Sequence, residues 1–529
     1  MSIPAMRCFI VGGLIVTAAA ALIAGPLNPP AGPVASTYKT LSEIEPRIAV
    51  NATNTPGDAT NLYRITQPGS YYLTGHITGV SGRRGIGISA HNVTLDLNGF
   101  RLQGVAGSLD GVNALGIVGS NLQNVEIRNG VVKGWGGAGV VAANTENCIL
   151  RDLTAQSNGS HGVRGGFRTL VERCTARSNG TSIASAGIDA STDSVIADCV
   201  STNNTGHGFR VDAGTVIERC AAKQNTLSGL SLSVGCVARE CVAEGNTQNG
   251  ILAGAGCVID TCASKGNTQV GVATGSGCAI VGTNATGNTG TGIRAGPIDG
   301  GVEDGGCVIS ECVGSNNGGF GLGADFGSVV VRSSANTNAG NGIFAGAGSS
   351  VRQCTAGGQT GAAGFGFDAQ CAATDCSSTF NTAPGGVGTG FEGGDPAQPT
   401  LGMLYARCNA YANTAFGIVA DSASLIVDCD VSGGTSAGVE VDGESLVLGC
   451  RSSGASAAYR FRDHNSRFES NHAFLSVNGF LAFNVGDNNF FVRNSAAQCT
   501  TPFVPAFSRP LTTTANPTTA NGWDNFVVP

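Results

Sequence analysis

The chain has 529 residues, a net charge of −7, and only 12% charged against 41% hydrophobic residues. A typical globular sequence carries about 25% charge, so this surface has to be built mainly from uncharged polar side chains. The slight acidity, spread over so long a chain, excludes a nucleic-acid partner held on a basic patch.

Arg7 precedes an apolar run over residues 8–24 that ends in Ala-rich sequence, with Gly25 and Pro26 just beyond. A basic start, a short apolar stretch and small residues at its end are the pattern of a secretory signal peptide, assigned here to residues 1–24. A membrane anchor is the alternative, but the run falls short of the about 20 apolar residues of a span. No later stretch reaches that length, so no membrane contact is expected after cleavage, and the mature chain is expected to be secreted or held in the cell envelope. Residues 25–84 read as linker and N-terminal cap, with 38–80 covering the first open strand edge.

From residue 85 to 495 the sequence repeats. Cysteine recurs at Cys199, Cys220, Cys241 and Cys262, every 21 residues, and two adjacent copies, GNTQNGILAGAGCVIDTCASK and GNTQVGVATGSGCAIVGTNAT, fix the register. A Gly-Ile or Gly-Val pair opens one short strand (Gly250-Ile251, Gly271-Val272), Cys257-Val258-Ile259 forms a second, and a third starts at the register cysteine. Two polar residues before that cysteine imply a tight turn. Five residues after it stands Asn (Asn204, Asn225, Asn246, Asn267), read as a turn residue because Asn tolerates the left-handed conformation. Three strands in so few residues leave no room for a helix, and so short a unit cannot bury its own apolar face. The fold class expected is all-β: a solenoid of about eighteen coils of ~21 residues with N- and C-terminal caps, its coils joined as parallel strands about 4.8 Å apart. Residues 496–529 form the C-terminal cap and tail, where Pro502 and Pro505 stop further pairing.

Without Cys8, 18 cysteines remain, in two series: the register position and one five residues earlier (Cys236, Cys257, Cys278, Cys307). Strand alternation points both inward, where Cys serves as a small hydrophobe. Free buried ladders and partial disulfide pairing both remain open. No His joins the pattern, so no metal and no cofactor are expected.

Function on a rod depends on outward side chains and on the longer turns. Copies are lengthened by four residues between Asn179 and Gly187, by eight between Gly292 and Cys312 (with Asp299, Glu303 and Asp304), and by eleven between Cys376 and Cys408 (with Glu392 and Asp395). The candidate site lies in the Gly-Ile strands of three consecutive copies. His161-Gly162-Val163-Arg164 and His207-Gly208-Phe209-Arg210 share a register, with Gly187-Ile188-Asp189 between them. With Val163, Ile188 and Phe209 facing in, Arg164, Asp189 and Arg210 face out as a column, extended by Asp212. The arginines could grip carboxylates or sulfates of an acidic polysaccharide, with His161 or His207 moving a proton near neutral pH. The competing reading is an exposed ion ladder worth little. Glu440 and Asp442 against Arg460 and Arg462, beside Asp463 and His464, read as structural pairing.

The repeat Val-Ile-x-x-Cys-x-Ala-x-x-Asn-x-x-x-Gly-Ile resembles that of the right-handed parallel β-helix proteins, a group that includes pectate lyases and polygalacturonases. The opening segments 63–73 and 93–100 resemble one bacterial exported subfamily of it. The resemblance implies a polysaccharide partner outside the cytoplasm. Its lyases would need clustered outward acids for calcium and its glycosidases paired carboxylates. No three outward acids on adjacent copies are readable, and the Asn-Thr-Asp and Gly-Asp-Asp motifs expected of a polygalacturonase are absent. Carbohydrate association is the expected function, a non-catalytic adhesive or structural surface rod the alternative, and a lyase or glycosidase the third.

Overall fold

The computed structural model describes residues 46–529 except 117–119, 297–304, 362, 384–387, 395–401, 484–487, 505–512, 515–523 and 529. The signal-peptide segment 1–24, residues 25–45, and Asp299, Glu303, Asp304 and Asp395 lie outside these. Residues Arg47–Pro529 form one compact unit, and none of the described residues is helical.

Each coil has the three expected strands. In one copy they are Leu230–Leu232, Val237–Arg239 and Val242–Glu244. Each pairs in parallel with its counterpart one copy later: Leu230 with Ile251, Val237 with Val258, Val242 with Ala263. The Gly-Ile strands alone make one sheet, of twenty strands from Asn61–Ile65 to Thr501–Val504. The solenoid therefore has about twenty coils rather than eighteen, because parallel pairing extends past both ends of the 85–495 stretch in which the repeat is visible; Pro502 lies inside the last Gly-Ile-type strand instead of stopping the pairing, and Pro505 lies outside the described residues. The other two strand series share a second sheet. Between them lie a positive-φ residue and the register cysteine, such as Glu240 (51°) before Cys241 or Thr261 (52°) before Cys262, the tight turn the sequence suggested. In Val125–Lys133 and Ile149–Gln156 the two strands run on as one through the positive-φ residues Asn129 and Asp152.

The backbone N–H after each register cysteine donates to the carbonyl of the cysteine one coil earlier: Val242 to Cys220, Ala263 to Cys241, Asn284 to Cys262. The cysteines thus stand in one file. All 18 described cysteines are free thiols, and all but Cys499 are buried. Their sulfurs donate to nearby carbonyls, as Cys220 to Glu218 at 3.2 Å and Cys241 to Arg239 at 3.2 Å, so the small thiol fills the corner and partly satisfies it.

The asparagines act differently from expectation. The left-handed residue is the one before each of them: Asn203, Gln224, Gly245 and Gly266 have positive φ, whereas Asn204, Asn225, Asn246 and Asn267 do not. The asparagine is required for its side chain. Asn225 Nδ2 and its backbone N–H both donate to Asn246 Oδ1 at 3.0 Å, and Asn246 repeats this to Asn267 at 3.0 and 2.9 Å. Each Nδ2 also donates to a carbonyl of the preceding coil, Asn246 to Ala222 at 3.2 Å. The ladder runs from Asn158 to Asn413, with Gln359 substituting once. It pairs main-chain donors at a corner closed to water, where an unpaired group is costly.

The exterior also departs from expectation. One outward column is aliphatic: Ile149, Leu170, Val195, Val216, Val237 and Val258 lie in register on successive coils, half-buried by one another. Cross-strand aliphatic neighbours stabilise a sheet even on its outer face. At the bends, charges cancel between coils, with Arg173 on Asp152 and Arg219 on Asp198, both at 2.8 Å.

Asn246→Ala should leave the Asn225 donors unpaired and remove one bond to the Ala222 carbonyl, and lower stability by about 2–5 kcal/mol. A guanidinium midpoint equal to that of the unaltered chain would show that the ladder carries no stability.

Candidate functional site on the Gly-Ile sheet

Alternation along the Gly-Ile strands buries Val163, Ile188 and Phe209 completely. It puts Arg164, Asp189 and Arg210 in register on the outer face. The column expected from sequence is therefore present, but Asp189 is nearly buried, at 6% exposure. Arg210 grips it with a fork, Nε to Oδ1 at 3.0 Å and Nη2 to Oδ2 at 2.9 Å, and Arg164 adds Nε to Oδ2 at 3.1 Å. The four-residue insertion supplies the Ala184 carbonyl, which accepts from Arg210 Nη1 at 3.0 Å. Arg210 has thus committed every nitrogen it has, and the Asp189 carboxylate raises its pKa. The Arg164 side chain stays 42% exposed. Asp212 is exposed at the next corner and adds negative charge near Arg210.

His161 is packed beside this pair. Its Nδ1 accepts from the Ala186 N–H at 3.0 Å, which assigns the proton of the neutral ring to Nε2. The Asp189 carboxylate, 3.8 Å from Nδ1, therefore faces a lone pair. Burial lowers the His161 pKa to about 4, against the opposing pull of Asp189 and with help from Arg210 and Arg164. Burial also lowers that of His207, again aided by Arg210. His207 Nδ1 has no hydrogen-bond partner among the described residues. Both imidazoles are neutral at neutral pH, and protonating His161 requires marked acidity.

The second cluster pairs as the sequence indicated. Glu440 lies in register with Arg460, is 1% exposed, and contacts the guanidinium groups of both Arg460 and Arg462. Arg460 is further held between the rings of Phe416 and Phe483, at 5.0 and 5.3 Å. His464 contacts Asp463 alone. Asp442 stands at the adjoining corner, its pKa raised by burial. Asp421 and Asp442 occupy the same corner of consecutive coils, with Glu440, 1% exposed, on the strand leading to the second. Among the described residues, no group of three or more His, Cys, Asp or Glu is placed to hold a metal ion.

Sequence reading missed a further feature of this face. Phe320 and Phe344, in adjacent coils, stack with centroids 5.2 Å apart and planes 18° from parallel, both half-buried. Aligning the residues on either side of each Gly-Ile pair would have revealed them.

The depressed His161 pKa has a thermodynamic consequence. The unfolded chain takes up this proton near pH 6.5 and the folded chain near pH 4. Stability should therefore be complete above pH 6.5 and fall as pH drops towards 4, by on the order of 3 kcal/mol from this group. His161→Asn keeps an acceptor for Ala186 and removes the titration. The gap in denaturant midpoint between it and the unaltered chain should change across that window, and a constant gap would contradict the assignment.

Residues 115–260 match the family model described as "Right handed beta helix region". No curated protein matches the chain. Among solved structures it is similar to ORF18 of Geobacillus virus E2 (11% identity, 56% of this chain and 60% of that one, TM-score 0.31). It is also similar to the A-module of the Azotobacter vinelandii mannuronan C-5 epimerase AlgE4 (13% identity, 84% and 90%, TM-score 0.20). A third is the tailspike protein of E. coli bacteriophage HK620 in complex with pentasaccharide (13% identity, 82% and 71%, TM-score 0.29). The chain spans 60% of the length of the first of these. The coils before and after the matched segment pair in the same parallel register, and the chain is a right-handed parallel β-helix repeat protein.

Proposed function

We propose that this is an exported polysaccharide-binding rod, and that the glycan lies along the outer face of the Gly-Ile sheet. The observation that carries this reading is the segregation of side chains among the faces. The second sheet shows solvent an aliphatic column and ion pairs that cancel between coils. The Gly-Ile sheet presents in one aligned strip Arg164 and Arg210, closed over the buried Asp189 and His161, towards one end, and the Phe320–Phe344 stack towards the other. Such a flat, extended strip of donors, acceptors and rings suits a linear polymer better than a small molecule, which takes a concave pocket. Arg164 is the anion contact, since its side chain is 42% exposed, whereas Arg210 holds Asp189 in place with all its nitrogens engaged and His161, His207 and Asp212 border the patch. Export is supported by Arg7 and the apolar run that follows it.

Screened on an array of acidic and neutral glycans, the chain lacking residues 1–24 should bind, and Arg164→Ala should weaken acidic ligands about tenfold with an unchanged melting temperature. Absence of binding to every glycan would end the proposal.

A second reading, a non-catalytic adhesive or scaffolding rod, is favoured by the aliphatic column alone. If that column joins copies of the chain, sedimentation velocity should show association that rises with concentration and disappears in Val195→Lys/Val237→Lys. A monomer at all concentrations would remove this form of it.

A further inference from the structure

The outward column of the Gly-Ile sheet is interrupted beside its stacked aromatic pair. Four consecutive coils place Gly323, Phe344, Gly366 and Glu392 in register. Phe320, three residues before Gly323, lies over that glycine. A Cβ at Gly323 would be 3.5 Å from its ring, and one at Gly340 only 2.8 Å. Phe320 thereby covers one face of Phe344. On the other side the neighbour is Gly366, which contributes no side chain of its own and is covered by the flat Asn341 amide. The next side chain in the column is the exposed Glu392, two coil steps, or roughly 10 Å, from Phe344.

The floor of this gap carries a hydrogen-bond donor. Asn341 Oδ1 accepts from the Ala363 N–H at 3.1 Å, which turns Nδ2 towards Gly366, where a Cβ would approach it to 2.1 Å. Nδ2 donates to no described residue. The slot thus has an aromatic wall, a glycine floor with an amide donor, and a carboxylate acceptor opposite.

We infer that this slot is a subsite for one uncharged pyranose residue of a glycan, stacked on Phe344 and hydrogen-bonded to Asn341 and Glu392. It rests on the polysaccharide reading above and specifies the sugar class at one place on the strip. The C–H-lined face of a pyranose matches the electron-rich face of an aromatic ring. In van der Waals contact the sugar lies about 4 Å from Phe344, which leaves its hydroxyl rim within reach of Glu392 as acceptor and Asn341 Nδ2 as donor. The Glu392 carboxylate faces the stacked residue across the slot, and a uronate would be repelled there.

The test is titration calorimetry of the chain lacking residues 1–24 with a panel of neutral oligosaccharides of gluco, galacto and manno configuration. At least one should bind. Phe344→Ala, which removes the wall, and Glu392→Ala, which removes the exposed acceptor opposite it, should each weaken it at least tenfold. Arg164→Ala should not weaken it, and thermal midpoints should hold. The slot is refuted if both variants bind as the unaltered chain does, or if only acidic glycans bind and do so through Arg164; either result leaves the polysaccharide reading intact. If no glycan of either charge binds, the polysaccharide reading falls as well.

Discussion

The in-register stacking of equivalent side chains is the constraint on which this molecule depends. A parallel coil of so few residues buries three corners, and each corner exposes main-chain donors to an interior without water. The asparagine file answers this at one corner, with every side chain accepting two bonds from the coil before and donating to the next. Cysteine, serine and threonine do the same work at the others, as where the Cys236 N–H meets Cys257 sulfur at 3.3 Å and the Ser328 N–H meets Ser349 Oγ at 3.0 Å. A residue placed one position off would break two such links, so the sequence is held to a strict period.

That strictness explains what was legible. Val258-Ile259, the register cysteines and the asparagines repeat because each must match its neighbour, and alternation from them alone places Arg164, Asp189 and Arg210 in one outward file. The role of the asparagines was not legible, because a turn residue and a ladder residue share the same preference for Asn; only the positive φ of the preceding Gln224 or Gly245 separates the two. Nor was the burial of Asp189, which depends on how the long side chains of Arg164 and Arg210 fold over it and on where the Ala184 carbonyl is brought by an insertion. Local pattern carries no information about either.

The outward face is under a looser rule. Inward positions accept a narrow range of sizes, whereas outward ones need only keep the strand soluble and paired. The chain varies them from an ion column, through Ser231 and Leu252, to the aromatic pair and the acids near Asp421. Glu440 shows where the two rules meet: an outward residue becomes fully buried once Arg460 and Arg462 close over it. Removing either partner would strand a charge, so this cluster is held by electrostatic necessity and is a poor place for a ligand.

The asparagine file also tolerates interruption of a particular kind. Asn179 meets Asn204 across 25 residues, Asn288 meets Asn317 across 29, and Asn381 meets Asn413 across 32, with bonds no longer than those between neighbours 21 apart. The extra residues fall in the part of each copy that carries the Gly-Ile strand, and the described rungs on either side still pair. A whole winding can therefore be duplicated or deleted, and an excursion of any length spliced in at that edge, while every remaining rung finds its mate. Rod length and loop content can evolve as separate variables.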